Sequence, residues 1–440
     1  MRNFNKYIQS IGLLAIITIG FTACGDDNNG STPDDSDFNI VERVENNESY
    51  STLSQIIADL GLESELSDGQ LTLFAPTNDA FDGLPEGLLD DLSDEQLTQI
   101  ITYHASEGEY LSANLDSTQD LTMLQGERVL VQEDEGSVTV NGSVNVVDAD
   151  LEATNGVVHG IDEVLLPAEF RDPSLIETAE EAGNFETLLA IVEDLGLTTT
   201  LQFLGPYTTF APTDEAFDTL FETINPDELS NEQLRSVVTY HVLDGEYPSD
   251  ALEAEQTVTS LGEEDLYITS NGGVTVNGSS TVVSADVTAS NGIIHAVDQV
   301  LLPNEFIPVA DIVAKNYNLT TLNDLLEQYN LVETLSGDGA YTVFAPTNQA
   351  FEDASELIAT LSDDEIEEVL LYHAAAVEAL SGDLEDGQTI ETLQGEEITV
   401  TISDETVTLN NSVSVETADL DGTNGVVHIV DGVLVPPSFE

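Results

Sequence analysis

All six histidines of this 440-residue chain fall at two recurring positions. Three follow a tyrosine, in Tyr103-His104, Tyr240-His241 and Tyr372-His373. Three close an apolar run, in Asn155-Gly156-Val157-Val158-His159, Asn291-Gly292-Ile293-Ile294-His295 and Asn424-Gly425-Val426-Val427-His428. Histidine serves proton transfer and metal ligation near neutral pH, so both roles have to be tested first. A zinc site needs three or four protein ligands and hydrogen bonds that orient them. Each repeat supplies two histidines, and with 85 Asp and Glu in the chain an acid lies near any point by chance. His104 continues the apolar stripe of Leu97, Ile100 and Ile101, His241 that of Leu234, Val237 and Val238, and His373 that of Ile366, Val369 and Leu370. In the closing segment Val157, His159 and Ile161 share one face of a strand. These placements predict buried, hydrogen-bonded histidines in preference to metal ligands or general bases. Asp162, Asp298 and Asp431, which come after the second histidines, are read as acceptors for backbone or side-chain donors.

Other chemistry is missing from the sequence. It holds no Gly-x-Ser-x-Gly elbow, phosphate-binding glycine loop or His-Glu-x-x-His helix. Asp419-Leu420-Asp421-Gly422 opens like a calcium loop, but the remaining ligand positions are not filled. No carboxylate pair stands out as a hydrolase pair. The expectation is a non-enzyme with no catalytic residue, no metal centre and no cofactor beyond weak, non-specific Ca²⁺ or Mg²⁺.

The elements that carry the histidines repeat with a period of about 135 residues, domain-sized and too long for a solenoid unit of ~20–50 residues. Phe74-Ala75-Pro76-Thr77-Asn78 returns as Phe210-Ala211-Pro212-Thr213-Asp214 and Phe344-Ala345-Pro346-Thr347-Asn348. Before it, Leu53, Ile56, Ile57 and Leu60 mark an amphipathic helix, as do Leu188, Ile191, Val192, Leu195 and Leu322, Leu325, Leu326, Tyr329. Gly61, Gly196 and Asn330 then suit a left-handed cap. The Pro ends the strand ladder, and the Thr or the adjoining Asn/Asp can cap a short helix. Ser93-Asp94-Glu95-Gln96, Ser230-Asn231-Glu232-Gln233 and Ser362-Asp363-Asp364-Glu365 are capping boxes ahead of the helix that ends in Tyr-His. Val138-Thr139-Val140-Asn141-Gly142 and Val274-Thr275-Val276-Asn277-Gly278 read as strand into hairpin turn, with Asn410-Asn411 in the third copy. The predicted fold class is α+β, three tandem units with helices mainly early and sheet mainly late.

Seven basic residues face 85 acidic ones, a formal charge of −78. Nucleic acid and anionic membranes need a Lys/Arg footprint, so neither is an expected partner. Self-repulsion on such a surface is relieved by salt, since the screening length falls from ~10 Å at 0.1 M to ~3 Å at 1 M. A salt-adapted surface is therefore predicted, with recruitment of divalent ions for adhesion as the second reading. At the start, Met1 to Lys6 is basic, Ile8 to Phe21 mostly apolar, and Phe21-Thr22-Ala23-Cys24 ends in small residues. That run is shorter than the ~20 residues of a spanning helix and has the layout of a secretory signal. Small residues before Cys24 resemble the bacterial lipobox, in which the cysteine becomes the lipidated first residue; Phe21 departs from the usual Leu. The acidic run after it resembles the surface-export signal of Bacteroidota lipoproteins. The expected organisation is a signal peptide over 1–24, an acidic flexible tether over 25–37, and domains over 38–169, 170–305 and 306–440.

The three recurring marks resemble those of the fasciclin-type (FAS1) domain family. Its first hallmark is similar to Thr72-Leu73-Phe74-Ala75-Pro76-Thr77-Asn78-Asp79-Ala80-Phe81, its central mark to Tyr103-His104, and its second hallmark to Asn155 through Asp162. The family-motif residues are then Phe74, Pro76, Thr77, Tyr103, His104 and His159; Phe210, Pro212, Thr213, Tyr240, His241 and His295; and Phe344, Pro346, Thr347, Tyr372, His373 and His428. The resemblance implies a compact β-sandwich or wedge flanked by helices, in secreted and surface proteins that mediate adhesion. The third copy departs most, with Val377-Glu378-Ala379 in place of Gly108-Glu109-Tyr110 and Gly245-Glu246-Tyr247. The Asp-Ile motif tied to integrin binding in some animal members has no convincing counterpart, so the broad activity is carried over without that partner. The expected function is a surface-anchored outer-membrane lipoprotein for adhesion or extracellular-matrix binding. Its ligand would be a surface, matrix or polysaccharide, and it would touch the membrane through the lipid alone. The alternative is a periplasmic or surface scaffold that binds a carbohydrate or small ligand without adhesion.

Overall fold

The structure is a computed structural model that describes residues 38–84, 88–134, 136–403 and 406–439. Cys24, the signal segment 1–24 and the tether 25–37 lie outside the described residues. Among the described residues no helix is long and apolar enough to cross a membrane. The chain divides into two compact units, Met1–Glu177 with Gly196–Gly205, and Thr178–Leu195 with Pro206–Glu440.

In the first repeat the helix Ser51–Leu60 buries Leu53, Ile56 and Ile57 and stops at Gly61, whose φ of 71° only glycine adopts at little cost. The helix Asp94–Thr102 starts in a complete capping box, with the Ser93 side chain accepting from the Gln96 amide and Gln96 reaching back. Seven strands accompany these helices: β1 (Leu71–Pro76), β2 (Ala105–Glu107), β3 (Thr118–Thr122), β4 (Arg128–Asp134), β5 (Ser137–Val140), β6 (Val144–Ala153) and β7 (Gly156–Ile161). Their order in one sheet is β2-β1-β7-β6-β5-β4-β3. Every pair is antiparallel except β1 with β7, the early strand lying parallel to the last, Phe74 opposite His159. The two ends of that order meet at a bridge between Ser106 and Met123, so the sheet curls into a nearly closed barrel. β6 shifts register twice against β7, and Asp150 takes a φ of 57° there. Such bulges bend a strand and sharpen its twist, which carries β6 from β7 round to β5. Asn141 and Gly142, at φ 52° and 74°, form the predicted turn between β5 and β6.

β1 and β7 are buried along their whole length and separate two apolar layers. On the outer side Leu53, Ile57, Ile100 and Ile101 pack against Leu73 and Val158. Inside the barrel lie Phe74, Tyr103, Val129, Val131, Val140 and Ile161. The second repeat builds the same seven-stranded sheet with Tyr207–Pro212 parallel to Gly292–Val297, and the third with Tyr341–Pro346 parallel to Gly425–Val430. The α+β reading and the helix-flanked wedge are what the chain forms, three times over. The sequence-based division into early helices and late sheet needs one amendment: the first strand joins the late sheet, between β2 and the last strand β7.

Candidate functional site

Strand alternation and the short helix after the proline together place the four residues of the Phe-Ala-Pro-Thr segment. The Phe74, Phe210 and Phe344 rings are buried and stack on the second histidines His159, His295 and His428, at centroid distances of 5.7, 5.4 and 5.6 Å. Pro76, Pro212 and Pro346 end the first strand of each repeat opposite Ile161, Val297 and Val430. The hydroxyls of Thr77, Thr213 and Thr347 accept the amides of Ala80, Ala216 and Ala350 at 3.2, 3.3 and 3.1 Å, each capping a short helix. The next residue acts elsewhere. Asn78, Asp214 and Asn348 accept the amides of Thr52, Thr187 and Thr321 at 3.0, 2.8 and 2.8 Å, which caps the helix carrying Leu53, Leu188 and Leu322 instead.

His104, His241 and His373 are sealed from solvent and hydrogen-bonded at both nitrogens. Nδ1 donates to the carbonyl one turn back, on Ile100, Val237 and Val369, at 2.7, 2.7 and 2.8 Å. Nε2 accepts the amides of Leu165, Leu301 and Leu434 at 2.9, 2.8 and 2.8 Å. An amide has no lone pair to offer, so Nε2 must be the bare nitrogen and the ring neutral. Burial pushes all three down to about 4, against the pull of the Nδ1 carbonyl bond.

The second histidines are the opposite tautomer. Nε2 of His159, His295 and His428 donates to the carbonyls of Tyr110, Tyr247 and Ala379 at 2.8, 2.9 and 2.9 Å. Nδ1 accepts the amides of Asp150, Asp286 and Asp419 at 3.2, 3.2 and 3.1 Å. Burial lowers His159 and His428 below the ordinary value. The same three aspartates sit at φ 57°, 59° and 60° and bind both the amide and the hydroxyl of Ser112, Ser249 and Ser381. Each repeat thus gathers a Ser, an Asp and a His, the residue types of a hydrolytic triad. The connections are wrong for one: the hydroxyl bonds to the carboxylate, and both histidine nitrogens face backbone. A nucleophile bonded to its base is what that chemistry requires.

Tyr103, Tyr240 and Tyr372 point into the barrels, fully buried. Their hydroxyls donate to the carbonyls of Arg128, Asp265 and Glu397 at 3.1, 3.0 and 2.9 Å. Asn277 and Asn410, the turn residues, donate to Tyr240 and Tyr372 at 2.9 Å each. Burial drives Tyr103 up to about 12 and Tyr240 higher still. Asp162, Asp298 and Asp431 accept the amides of Asn145, Thr281 and Ser414 at 2.7, 2.7 and 2.6 Å. In the third repeat the Val377–Ala379 loop keeps the backbone bonds of its counterparts: Thr342 donates to the Val377 carbonyl and accepts the Ala379 amide, as Thr72 does with Gly108 and Tyr110. The tyrosine ring is lost there, and Val377 replaces the glycines that stand at φ 103° and 93° in the other repeats.

Among the described residues no group of three or more His, Cys, Asp and Glu is placed to hold a metal ion. The calcium-loop-like stretch Asp419-Leu420-Asp421-Gly422 therefore has no donor cluster behind it, and Asp419 is committed to Ser381. What the sequence reading missed is the Ser–Asp clasp and the caps made by Asn78, Asp214 and Asn348. The one available signal was an Asp in the middle of an otherwise regular strand.

The fasciclin domain model matches residues 48–167, 183–303 and 317–436. Transforming growth factor-beta-induced protein ig-h3 of Sus scrofa is 32% identical over 376 residues, 84% of this chain and 54% of that protein. Periostin of Homo sapiens is 31% identical over 383 residues, 84% of this chain and 44% of that protein. The chain thus spans about half the length of these relatives. A solved FAS1 domain pair from the insect cell adhesion molecule Fasciclin I matches at a TM-score of 0.45 and 17% identity, over 59% of this chain and 99% of that one. With three matched segments that take in every histidine pair described above, the chain belongs to the fasciclin domain family and carries three copies of the domain in tandem.

Proposed function

We propose that this chain is a non-catalytic adhesion or extracellular-matrix-binding protein, lipidated at Cys24 and displayed on the outer membrane facing outward. Its ligand is a surface, matrix or polysaccharide component, and the lipid is its only contact with the membrane. The observation that supports the reading is the inward turn of the hallmark residues: both nitrogens of every histidine are bound to backbone groups, so these residues serve the fold. Three linked domains suit adhesion, because tethered modules gain ~10²–10⁴ in avidity when geometry permits. A net charge of −78 supports a partner that is neither nucleic acid nor a bare anionic membrane. Divalent ions are weak, non-specific counterions in this reading.

Protease shaving of intact cells tests it. Loss of the fasciclin domains from cells that keep their periplasmic proteins supports surface display. Survival of the chain until the outer membrane is breached would place it inside, where adhesion is impossible and the scaffold reading takes over.

A further inference from the structure

Within the unit Thr178–Leu195 with Pro206–Glu440, the helix Val309–Lys315 ends by burying a lysine against the second barrel. Lys315 is 7% exposed, in a chain with only seven basic residues. Its Nζ donates to the Tyr240 hydroxyl at 3.0 Å and lies 5.1 Å from the centre of that ring. Tyr240 is the tyrosine of the second Tyr-His pair, already bonded to the Asp265 carbonyl and to Asn277. Two residues on, Tyr317 meets Tyr267 edge to face at 5.8 Å and shares a hydrogen bond with Thr257 at 2.8 Å. The Ala314 carbonyl stands 3.1 Å from where a Cβ on Gly278 would be, so the hairpin turn lets the helix come close because it is glycine.

An ammonium has three N–H donors and no acceptor. Here, among the described residues, one hydrogen bond is made; the Glu264 carboxylate forms an ion pair at 3.7 Å and the Tyr240 ring a cation–π contact, which offset only part of the hydration lost on burial. The other charged or titratable groups at the junction are Asp265, Tyr267 and Tyr240 on the second repeat, and Asp311 and Tyr317 on the third. Tyr240 and Tyr267 are both held protonated by burial, and Asp311 is raised by burial as well. The pocket therefore solvates a charged amine poorly, while a neutral amine keeps its bond to the Tyr240 hydroxyl. In free solution the same lysine is charged until about pH 10.

We propose that Lys315 is a positioning residue whose burial couples the seating of the third repeat on the second to release of a proton. The junction closes more firmly as pH rises through the mildly alkaline range. Burial lowers the amine from 10.5 to about 8, with Glu264 and Asp265 opposing. The sign is fixed by linkage: the seated form binds fewer protons than the detached form between those two values. The closing constant then grows by up to about tenfold per pH unit across that window, and is flat below it.

Trypsin reads this directly, because it cuts after lysine and arginine and Lys315 is shielded while seated. The full chain is digested under native conditions at pH 7, 8, 9 and 9.5, and the product cut between Lys315 and Asn316 is quantified by mass spectrometry. Each rate is divided by that of a free peptide spanning residues 306–320. The expected result is a normalised rate that is level from pH 7 to 8 and falls several-fold by pH 9.5. Lys315→Arg keeps its charge throughout, so its normalised rate, against the matching Arg peptide, should stay level. A wild-type rate indifferent to pH overturns the proposal, and so does an Arg variant that falls in parallel.

Discussion

The Leu165 amide donates to Nε2 of His104 at 2.9 Å, across 61 residues of chain. That bond ties the end of the second long helix to the segment leaving the last strand, and Leu301 and Leu434 repeat it on His241 and His373. Removing the ring leaves a buried amide and a buried carbonyl without partners. His104→Ala should therefore cost the first repeat ~1–3 kcal/mol, measured by urea unfolding of the full chain with a first-repeat probe. An unchanged midpoint would contradict a structural role for this histidine.

The pH dependence follows from the same rings. His104, His241 and His373 are lowered from 6.5 to about 4, so the neutral form is favoured in the fold. Their stabilising term is fully present above pH 6.5 and is lost as pH falls toward 4, at up to ~1.4 kcal/mol per unit for each ring. NMR should find the ring protons of these three unmoved between pH 8 and 5. A midpoint near 6.5 for any of them would contradict the buried, neutral assignment.

Gly156 in the second hallmark is required by its neighbour. At φ 139° a Cβ would collide with the carbonyl oxygen of Leu71 on the parallel strand, and Gly292 and Gly425 meet Tyr207 and Tyr341 in the same way. Gly156→Ala should destabilise the first repeat by more than about 2 kcal/mol, well beyond the ~1 kcal/mol of an ordinary left-handed position. Gly61→Ala, with open space around it at φ 71°, is the control. Equal losses at both sites would remove the close-approach argument.

The surface charge predicts a salt response. With a formal charge of −78, the folded domains repel themselves and gain from screening. The melting temperature should rise as NaCl goes from low to roughly molar, where the screening length is ~3 Å. Millimolar Ca²⁺ should add nothing beyond NaCl of matched ionic strength, because a specific ion would contribute a mass-action term of its own. A salt-indifferent melt, or an extra calcium shift, would each contradict this account.

Much of the fold was legible because its signals are local. The capping boxes at Ser93, Ser230 and Ser362, the left-handed stops at Gly61, Gly196 and Asn330 and the turns at Asn141, Asn277 and Asn410 all formed as their residues dictate. The partners of the histidines were not legible. Leu165 offers His104 only a backbone amide, and any residue but proline carries one. The parallel pairing of β1 with β7 joins segments some 80 residues apart, and β1 reads alone like any short buried strand. Asp150 escaped notice because a bulge depends on pairing as well as on composition. Lys315 looked like one stray cation in an acidic chain, and its contact with Tyr240 spans two repeats.

The lipid anchor is tested by Cys24→Ala. The substitution should move the chain from the membrane fraction to the soluble one, and the wild-type mature N-terminus should carry an acyl modification by mass spectrometry. A wild-type chain with its first residues intact would contradict the anchor.

Adhesion itself is read most directly by attachment under flow. Matched cells with and without the chain, surface display verified by protease shaving, are passed over supports coated with polysaccharide or matrix protein and then washed. Cells displaying the chain should be retained in greater number on at least one coating, and soluble chain added in excess should compete the difference away. Equal retention of the two cell populations on every coating, with the domains proven to face outward, would contradict the adhesive reading.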